Sequence, residues 1–233
     1  MMKASFWTDV LDFIAPRTCV ICGRRLSSSE ECICIKCLFD IPFASFHLQP
    51  LDNPMARLFW GLFPAERVAA LFFYQQQSPP YRMIHELKYH HAPEIGPYLG
   101  RLMVTQMAPH GFFEGIDAII PMPITWLRRL KRGYNQSEQI AKGIQESTGI
   151  PIYNNVVKRV RFKGSQTKLD HRQRHENVKD AFRLTKADKI KGKHILLIDD
   201  VITTGATVTA CAEELAKAGN MRISVLSVGL TKD

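Results

Sequence analysis

The sequence predicts an α/β protein in which a mainly parallel sheet is flanked by helices and preceded by a small cysteine-rich module. A continuous apolar run at residues 195–198 suits a strand that is buried on both faces of a parallel sheet. A turn rich in small and hydroxyl residues follows this run, and residues 208–218 then carry a helical pattern. Two C-x-x-C pairs near the start of the chain predict the separate module.

The composition supports one medium domain with a small appendage. The 233 residues are 45% hydrophobic, which is enough for a core, and the formal net charge is +9. That charge suits a polyanionic partner or a phosphorylated substrate, although the ordinary solubility of basic proteins explains it equally. No apolar run reaches the length of a membrane span, and residues 1–14 resemble a short packing helix more than a signal peptide. We therefore expect a cytoplasmic protein without membrane insertion, whose cysteines are reduced.

The two C-x-x-C pairs predict a structural zinc site. Cys19 and Cys22 form the first pair, Cys34 and Cys37 form the second, and a spacer of hairpin size separates them. Each tight turn presents two thiolates, and four thiolates complete a tetrahedron around Zn²⁺ without leaving an open position. Cys32 could replace Cys34 as the third ligand, but the C-x-x-C spacing favours Cys34. Disulfides fit a reducing compartment poorly, and a redox C-x-x-C needs no second copy.

A strand and helices are predicted between this module and the main sheet. Residues 68–74 read as a strand, and a helical pattern over 81–107 is interrupted by prolines. The helical stretch contains His85 and His90, whose spacing of five predicts that they lie on different helix faces. This spacing also differs from the H-E-x-x-H motif of zinc proteases, so solvated or satisfied histidines are the better interpretation.

Two acids, Asp199 and Asp200, follow the apolar run where the strand is expected to end. A turn that enters a helix presents backbone N–H groups and the positive end of the helix dipole, which suit a phosphate. Carboxylates beside such a turn would accept hydrogen bonds from sugar hydroxyls, so the pattern predicts a sugar-phosphate site at the carboxyl edge of the sheet. The plainer alternative is a strand that ends in acids before an ordinary helix, and it would explain the acid pair alone or the turn alone. The turn supplies hydroxyls and a glycine through Thr203, Thr204, Gly205, Ala206 and Thr207.

Residues 195–207 resemble the phosphoribosyl pyrophosphate (PRPP) motif of type I phosphoribosyltransferases, which has a hydrophobic strand, two acids and a T-T-G-x-T loop. The resemblance implies a type I phosphoribosyltransferase core preceded by the zinc ribbon. It implies that Asp199 and Asp200 hold the ribose 2′- and 3′-hydroxyls and that the threonine loop, residues 203–207, holds the 5′-phosphate. Mg²⁺ would accompany PRPP.

A strand over 117–123 is expected to open the core, and a basic stretch over 128–136 follows it. The guanidinium and amide groups of this stretch suit a pyrophosphate leaving group. The plainer interpretation of the stretch is the solvated, basic start of a helix. The stretch ends in R-G-Y-N-Q and resembles the R-G-[FY]-N-Q signature of the competence protein F (ComF) family. A separate stretch of that family contains a Lys-Tyr pair, which Lys88-Tyr89 resembles, and we assign no role to this pair. The resemblance implies a pyrophosphate-binding loop at 122–125. It also implies ligand contacts from Pro123, Arg132, Asn135 and Gln136, with Arg132 and the two acids in catalysis.

The stretch 161–179 has little apolar content and many basic residues, and predicted strands over 155–160 and 181–184 flank it. A disordered basic linker is the plain interpretation. The resemblance instead implies the mobile loop that closes over the ribose in type I phosphoribosyltransferases. The residues that match the family in this stretch are Gln166, Thr167, Arg172, Arg174 and Asn177.

We expect three regions: an N-terminal helix and zinc ribbon over 1–50, a linking segment over 51–114, and a phosphoribosyltransferase-like domain over 115–233. The resemblance implies Mg²⁺-dependent phosphoribosyl transfer from PRPP, through an oxocarbenium-like ribose, in a protein associated with DNA uptake in natural transformation. The alternative is a non-catalytic PRPP sensor or single-stranded-DNA-binding module on the same fold, with the DNA-uptake machinery as a partner. The sequence identifies no acceptor, because it contains no recognisable base-binding pocket.

Overall fold

The computed structural model describes residues 16–160 and 181–231. The predicted N-terminal helix at 1–14 lies outside these described residues. The predicted mobile loop at 161–179, with its five matching residues, also lies outside them. The main sheet has four parallel strands: β1 (Ala65–Tyr74), β2 (Ala118–Pro121), β5 (His194–Ile202) and β6 (Arg222–Thr231). Their order across the sheet is β1-β6-β5-β2. Two short strands, β3 (Val157–Arg159) and β4 (Phe182–Leu184), form an antiparallel pair.

Helices cover both the strand connections and the N-terminal part. The first four are α1 (Ile35–Asp40), α2 (Pro54–Arg57), α3 (Pro79–Tyr89) and α4 (Ile95–Met107). The other three are α5 (Trp126–Arg132), α6 (Gln136–Thr148) and α7 (Ala206–Ala216). The helical pattern predicted over 81–107 therefore divides into α3 and α4 at its prolines. None of the helices in the described ranges is both long and apolar enough to cross a bilayer.

Strand β5 lies inside the sheet, and its length determines where the acids are placed. The apolar run is almost fully buried between β2 and β6, as its composition predicts. The expectation that the strand ends at the acids is wrong, since β5 continues to Ile202, opposite Leu230 of β6. On its other side β5 loses its partner earlier, because β2 ends at Pro121, opposite Ile198. Asp199 therefore marks the point where one side of β5 becomes free.

The helices α4 and α6 touch backbone to backbone, and this contact positions the start of α6 near β5. A Cβ atom on Gly100 would lie 2.2 Å from the carbonyl oxygen of Ile140, and one on Gly143 would lie 2.0 Å from that of Pro97. Only glycine leaves room for such an approach. The first turn of α6 carries Ser137, which reaches the acid pair.

Strand β1 belongs to the main sheet although it comes from the predicted linking segment. It runs parallel to β6, with Val68 opposite Val225 and Phe73 opposite Leu230. Residues 68–72 are buried and apolar, so other elements cover both faces of β1 although it is an edge strand of the sheet. The sheet thus crosses the predicted boundary at residue 114. The division into 1–50, 51–114 and 115–233 stays a prediction.

Candidate functional site

The two acids lie at the carboxyl edge of the sheet, beyond the end of β2. The Oδ1 atom of Asp199 accepts a hydrogen bond from the backbone N–H of Asp200 at 2.8 Å and one from the Ser137 hydroxyl at 3.4 Å. Ser137 is itself buried in the first turn of α6. These two donors fix the orientation of the Asp199 carboxylate before any ligand arrives.

A lysine from outside the sheet core completes the acid pair. The Nζ atom of Lys88, in the last turn of α3, lies 3.0 Å from Oδ1 of Asp200, and the two side chains are only 17% and 14% exposed. The sequence analysis assigned no role to Lys88. One signal was present: Lys88 follows Ile84 by four positions and therefore lies at the margin of the buried face of α3.

The surroundings of Asp199 make it an unusual carboxyl. Burial, followed by the charge of Asp200, raises the pKa of Asp199 to about 7, while the positive charges of Lys88 and Arg159 act in the opposite direction. A group with this pKa changes protonation near neutral pH. The site therefore holds one carboxylate paired with lysine beside one whose charge depends on pH.

The threonine loop joins β5 to α7 and forms a small cavity next to the acids. Gly205 precedes the first residue of α7 with φ 74°, and a Cβ there would lie 2.8 Å from the Phe59 ring. No side chain caps α7, so its first backbone N–H groups remain available to a ligand. The cavity has a volume of about 40 Å³ and is lined by Asp199 and residues 201–208. It suits a tetrahedral anion bound by backbone N–H groups and threonine hydroxyls.

The residues predicted around the pyrophosphate loop take different positions. Asn135 is buried, donates from Nδ2 to the Met122 carbonyl at 3.0 Å and accepts from the Ser137 N–H at 3.2 Å, so it ties the turn 122–125 to α6. Arg132 donates to Gln136 Oε1 at 2.9 Å. The Arg132 guanidinium also lies 5.5 Å from the centre of the Tyr89 ring at the end of α3.

The structure thus gathers some predicted residues and separates others. Asp199 and the threonine loop meet at one cavity, and the neighbouring Asp200 pairs with Lys88. Arg132 and Gln136 lie between α5, α6 and the end of α3. Pro123 lines a second cavity together with Asn135.

Arg159 is a further cation near the acids that the sequence analysis missed. Its guanidinium lies 5.5 Å from the centre of the Phe182 ring, on the neighbouring strand β4. Burial, followed by the charge of Arg128, lowers the pKa of Arg159, and the charge of Asp199 opposes this shift. No motif identifies Arg159, because it belongs to the three-residue strand β3, which contains no recognisable sequence signature.

The histidines of α3 lie together, and the prediction that they occupy different helix faces is wrong. The rings of His85 and His90 are 5.2 Å apart. The helix ends at Tyr89, and His90 leaves it with φ −112° and ψ 18°, so helical spacing no longer applies. Ligand atoms of His85, Glu86 and His90 lie within 4.8 Å of one another, a grouping that also arises without a metal.

The four predicted zinc ligands converge on one point. The sulfur atoms of Cys19, Cys22, Cys34 and Cys37 all lie within 4.8 Å of one another, and Cys22 and Cys34 are 3.8 Å apart. The Cys34 N–H donates to the Cys19 sulfur at 3.3 Å, and a hydrogen bond from the Cys37 backbone lowers the pKa of Cys34 to about 7. Four cysteine sulfurs arranged in this way suit a structural Zn²⁺ site without an open position.

The structure also decides between Cys34 and Cys32. The Cys32 sulfur faces the Glu94 carbonyl at 4.0 Å, away from the cluster. Burial raises the pKa of Cys32 to about 12. The cluster of four contains Cys34, as the C-x-x-C spacing predicts.

Comparison with known proteins now adds to this geometry. A family model described as a phosphoribosyl transferase domain matches residues 121–228. The chain is 29% identical over 210 residues to the DNA utilization protein YhgH of Shigella flexneri, which covers 89% of this chain and 87% of that protein. It is 37% identical over 110 residues to competence protein F of Haemophilus influenzae, covering 47% and 48%. The chain is therefore similar to the DNA utilization protein YhgH over most of its length and to competence protein F over about half of it.

A solved structure of glutamine PRPP amidotransferase from Bacillus subtilis is also similar, at 20% identity and a TM-score of 0.43. The match covers 62% of this chain, which spans only 30% of that structure. In this chain, the parallel sheet, the matched domain and the cysteine cluster confirm the predicted phosphoribosyltransferase core with an N-terminal zinc-ribbon-like module. The matched residues 121–228 include both acids and the threonine loop, whereas Lys88 lies outside them.

Proposed function

We propose that this protein binds PRPP together with Mg²⁺ and transfers its phosphoribosyl group to an acceptor. One observation carries the proposal: Asp199 and an uncapped, hydroxyl-rich loop border the same cavity at the carboxyl edge of the sheet, and Asp200 follows Asp199 directly in the chain. Open α/β sheets bind their ligands at this edge. The matched phosphoribosyl transferase domain supports the same conclusion.

Each group of the cavity has a role that follows from its chemistry. The N–H groups at the start of α7 and the threonine hydroxyls bind the 5′-phosphate. Asp199 and Asp200 accept hydrogen bonds from the two ribose hydroxyls, and the donors on Asp199 hold it in place for this. Ionised carboxylates suit this task because they accept hydrogen bonds and donate none.

The carboxylates also fit the cation that the family implies. Mg²⁺ is held through one or two carboxylates, waters and substrate phosphates, and the acid pair offers oxygen donors of this kind. When bound, Mg²⁺ supplies neutralisation of the diphosphate charge. Asp199 and Asp200 are the residues that would hold or orient it.

The same residues favour the departure of pyrophosphate. As the bond from the ribose C1′ to the diphosphate oxygen breaks, positive charge develops on the sugar, and the two carboxylates stabilise it. Lys88 lies beside Asp200, and Arg132 lies beside Tyr89 at the end of α3. Both are cations that attract the anionic leaving group. The acceptor then forms the new bond at C1′.

A second candidate function is a PRPP sensor or single-stranded-DNA-binding module without catalysis. Helix α5 favours it, because Trp126, Leu127 and Leu130 are 69%, 49% and 67% exposed on a helix that also carries four basic residues. Exposed aromatic and basic side chains suit single strands. The names of the relatives, DNA utilization protein and competence protein F, support an association with DNA uptake for either candidate.

Two measurements separate these candidates. Calorimetric titration with PRPP, with and without Mg²⁺, tests the ligand, and release of pyrophosphate in the presence of candidate nucleophiles tests catalysis. Binding without pyrophosphate release supports the sensor. Binding of single-stranded DNA that weakens with salt and is insensitive to PRPP supports the DNA-binding module. Absence of PRPP binding under all these conditions rejects the first proposal.

A further inference from the structure

A second, larger cavity lies at the end of β2 that faces away from β5. Its volume is about 270 Å³, and it shares no lining residue with the cavity of the threonine loop. It is enclosed by the turn after β2, the start of α5, and residues 153–159. Ile119 of β2 forms a bridge with Ile152 on this side. Strand β2 therefore lies between this part of the chain and strand β5, which carries the acids.

The charged groups of this cavity are mainly cationic. Arg129, Lys158 and Arg159 line it, and the only carboxylate in its described lining is Glu138. Glu138 already pairs with Arg129 at 3.1 Å. The cavity therefore offers an excess of positive charge to an anion.

Arg159 gives this charge a specific position. It is partly buried against Phe182, and within residues 16–160 and 181–231 no carboxylate lies within ion-pair distance of its guanidinium. Removing a charge from water is unfavourable unless a partner compensates for it. A guanidinium fork binds a phosphate with two parallel hydrogen bonds, which would supply that partner.

The same cavity presents aromatic and amide groups. Trp126 exposes 69% of its surface, and Tyr153 is partly buried beneath the Lys189 ammonium, 6.0 Å from the ring centre. The side-chain amides of Asn154 and Asn155 form no hydrogen bond with other described residues. Aromatic faces stack on planar rings, and free amides bond to the edges of such rings.

We propose that this cavity is a second binding site, which takes a nucleotide unit through its planar base and its phosphate. PRPP has no aromatic ring, so the aromatic and amide lining points to a ligand other than the sugar diphosphate. Asn135 lines the cavity and bonds to Ser137, whose hydroxyl reaches Asp199, so the two sites are neighbours with separate linings. A free mononucleotide and the terminal nucleotide of a strand share this chemistry.

Trp126 provides a direct readout. The chain has three tryptophans, and replacing Trp7→Phe and Trp60→Phe leaves Trp126 as the only one. Titration of this protein with adenosine 5′-monophosphate should change the Trp126 fluorescence to saturation. Arg159→Met and Arg129→Met should each weaken the affinity about tenfold or more, since each removes a charge-assisted contact. Lys217→Met, a distant exposed lysine, is the matched control and should leave the affinity unchanged.

Competition distinguishes this site from the proposed PRPP site. Thr204→Val should leave the affinity for adenosine 5′-monophosphate unchanged, and PRPP should not displace the nucleotide. A fluorescence change that does not saturate, an affinity in both arginine variants that equals that of the parent protein, or displacement by PRPP would each overturn the second site. If PRPP fails to bind while the nucleotide does, only the proposed function falls. A 5′-phosphorylated oligonucleotide that binds more tightly than the mononucleotide, and still needs Arg159, assigns the strand end as the source; weaker binding assigns the free nucleotide.

Discussion

At the scale of single residues, Asp199 sets the pH range in which the candidate site can act. Its pKa is raised to about 7, because burial and the charge of Asp200 both disfavour its ionised form. In an unfolded chain an aspartate has a pKa of about 3.9. Between about pH 4 and pH 7 the folded protein therefore binds more protons than the unfolded chain, so the contribution of Asp199 to stability falls as the pH rises.

We expect ligand binding to depend on pH in the opposite direction. A ribose hydroxyl needs an acceptor, and Asp199 becomes a pure acceptor only above its pKa, so affinity for PRPP should rise between about pH 6 and pH 8. Calorimetric titrations across this range measure the effect. Asp199→Asn should bind weakly at every pH and lose this dependence. An affinity of the unmodified protein that does not change with pH would argue against a role for Asp199.

Lys88 should tune the same transition. Its positive charge lowers the pKa of Asp199, so Lys88→Met should raise that pKa further and shift the rise in PRPP affinity to higher pH. Lys88→Arg retains the charge and serves as the control, with a midpoint close to that of the unmodified protein. The same midpoint in the Met and Arg variants would show that Lys88 acts only through packing.

The sequence identified the acids, the threonine loop and the cysteines because each belongs to a contiguous pattern with a chemical reason. Lys88 and Arg159 escaped, since neither belongs to such a pattern. Lys88 pairs with Asp200 across a large sequence separation, and the charge of Arg159 lowers the pKa of Asp199 without an ion pair between the two. Contacts of this kind depend on how elements pack, which a single sequence does not state.

At the scale of elements, the cysteine module combines a few buried apolar side chains with its four-cysteine cluster. Helix α1 has six residues and none of them is buried. Because helix α1 adds no buried side chain, we expect Zn²⁺ bound by the four cysteines to contribute folding free energy directly.

Cys34→Ser should release the zinc and unfold the N-terminal module, while the sheet core keeps its cooperative melting. Cys32→Ser should retain one zinc per chain, because the Cys32 sulfur faces Glu94 rather than the cluster. Metal analysis of protein purified without chelator, combined with thermal melts, tests both variants. Zinc retained in Cys34→Ser and lost in Cys32→Ser would mean that the ligand set is different, and no zinc in the unmodified protein would reject the site.

Most elements followed their sequence patterns, and two local errors have physical causes. The predicted end of β5 was wrong because pairing with β6 continues past the acids, and strand pairing is invisible in the pattern of one strand. The predicted separation of His85 and His90 was wrong because α3 stops at Tyr89. Helical spacing holds only within a helix, and element ends are the least certain feature of a pattern.

At the scale of the whole molecule, the candidate site is shared between the matched domain and the part that precedes it. The threonine loop packs against Phe59, so closely that a side chain at Gly205 would collide with that ring, and Asp200 pairs with Lys88. Both partners precede residue 115, and β1 extends the sheet from the same region. The predicted boundary at residue 114 therefore lies between residues that contact each other in the tertiary structure.

The central claim is that the acids and the threonine loop bind PRPP, and paired titrations and melts of two variants test it most directly. Asp200→Asn keeps the size of the side chain but removes an acceptor, and Thr204→Val keeps the shape but removes a donor. Losing one charge-assisted hydrogen bond costs about 1.5–3 kcal/mol, so each variant should bind PRPP roughly ten- to a hundredfold more weakly. Asp188→Asn, at an exposed acid, is the control.

We expect both site variants to lose affinity in calorimetric titrations with PRPP and Mg²⁺ while they melt cooperatively near the temperature of the control. That result assigns the residues to a binding site. Unchanged PRPP affinity in both variants, together with altered melting temperatures, would show that the acids and the loop serve the scaffold and would contradict the claim that this protein binds PRPP there.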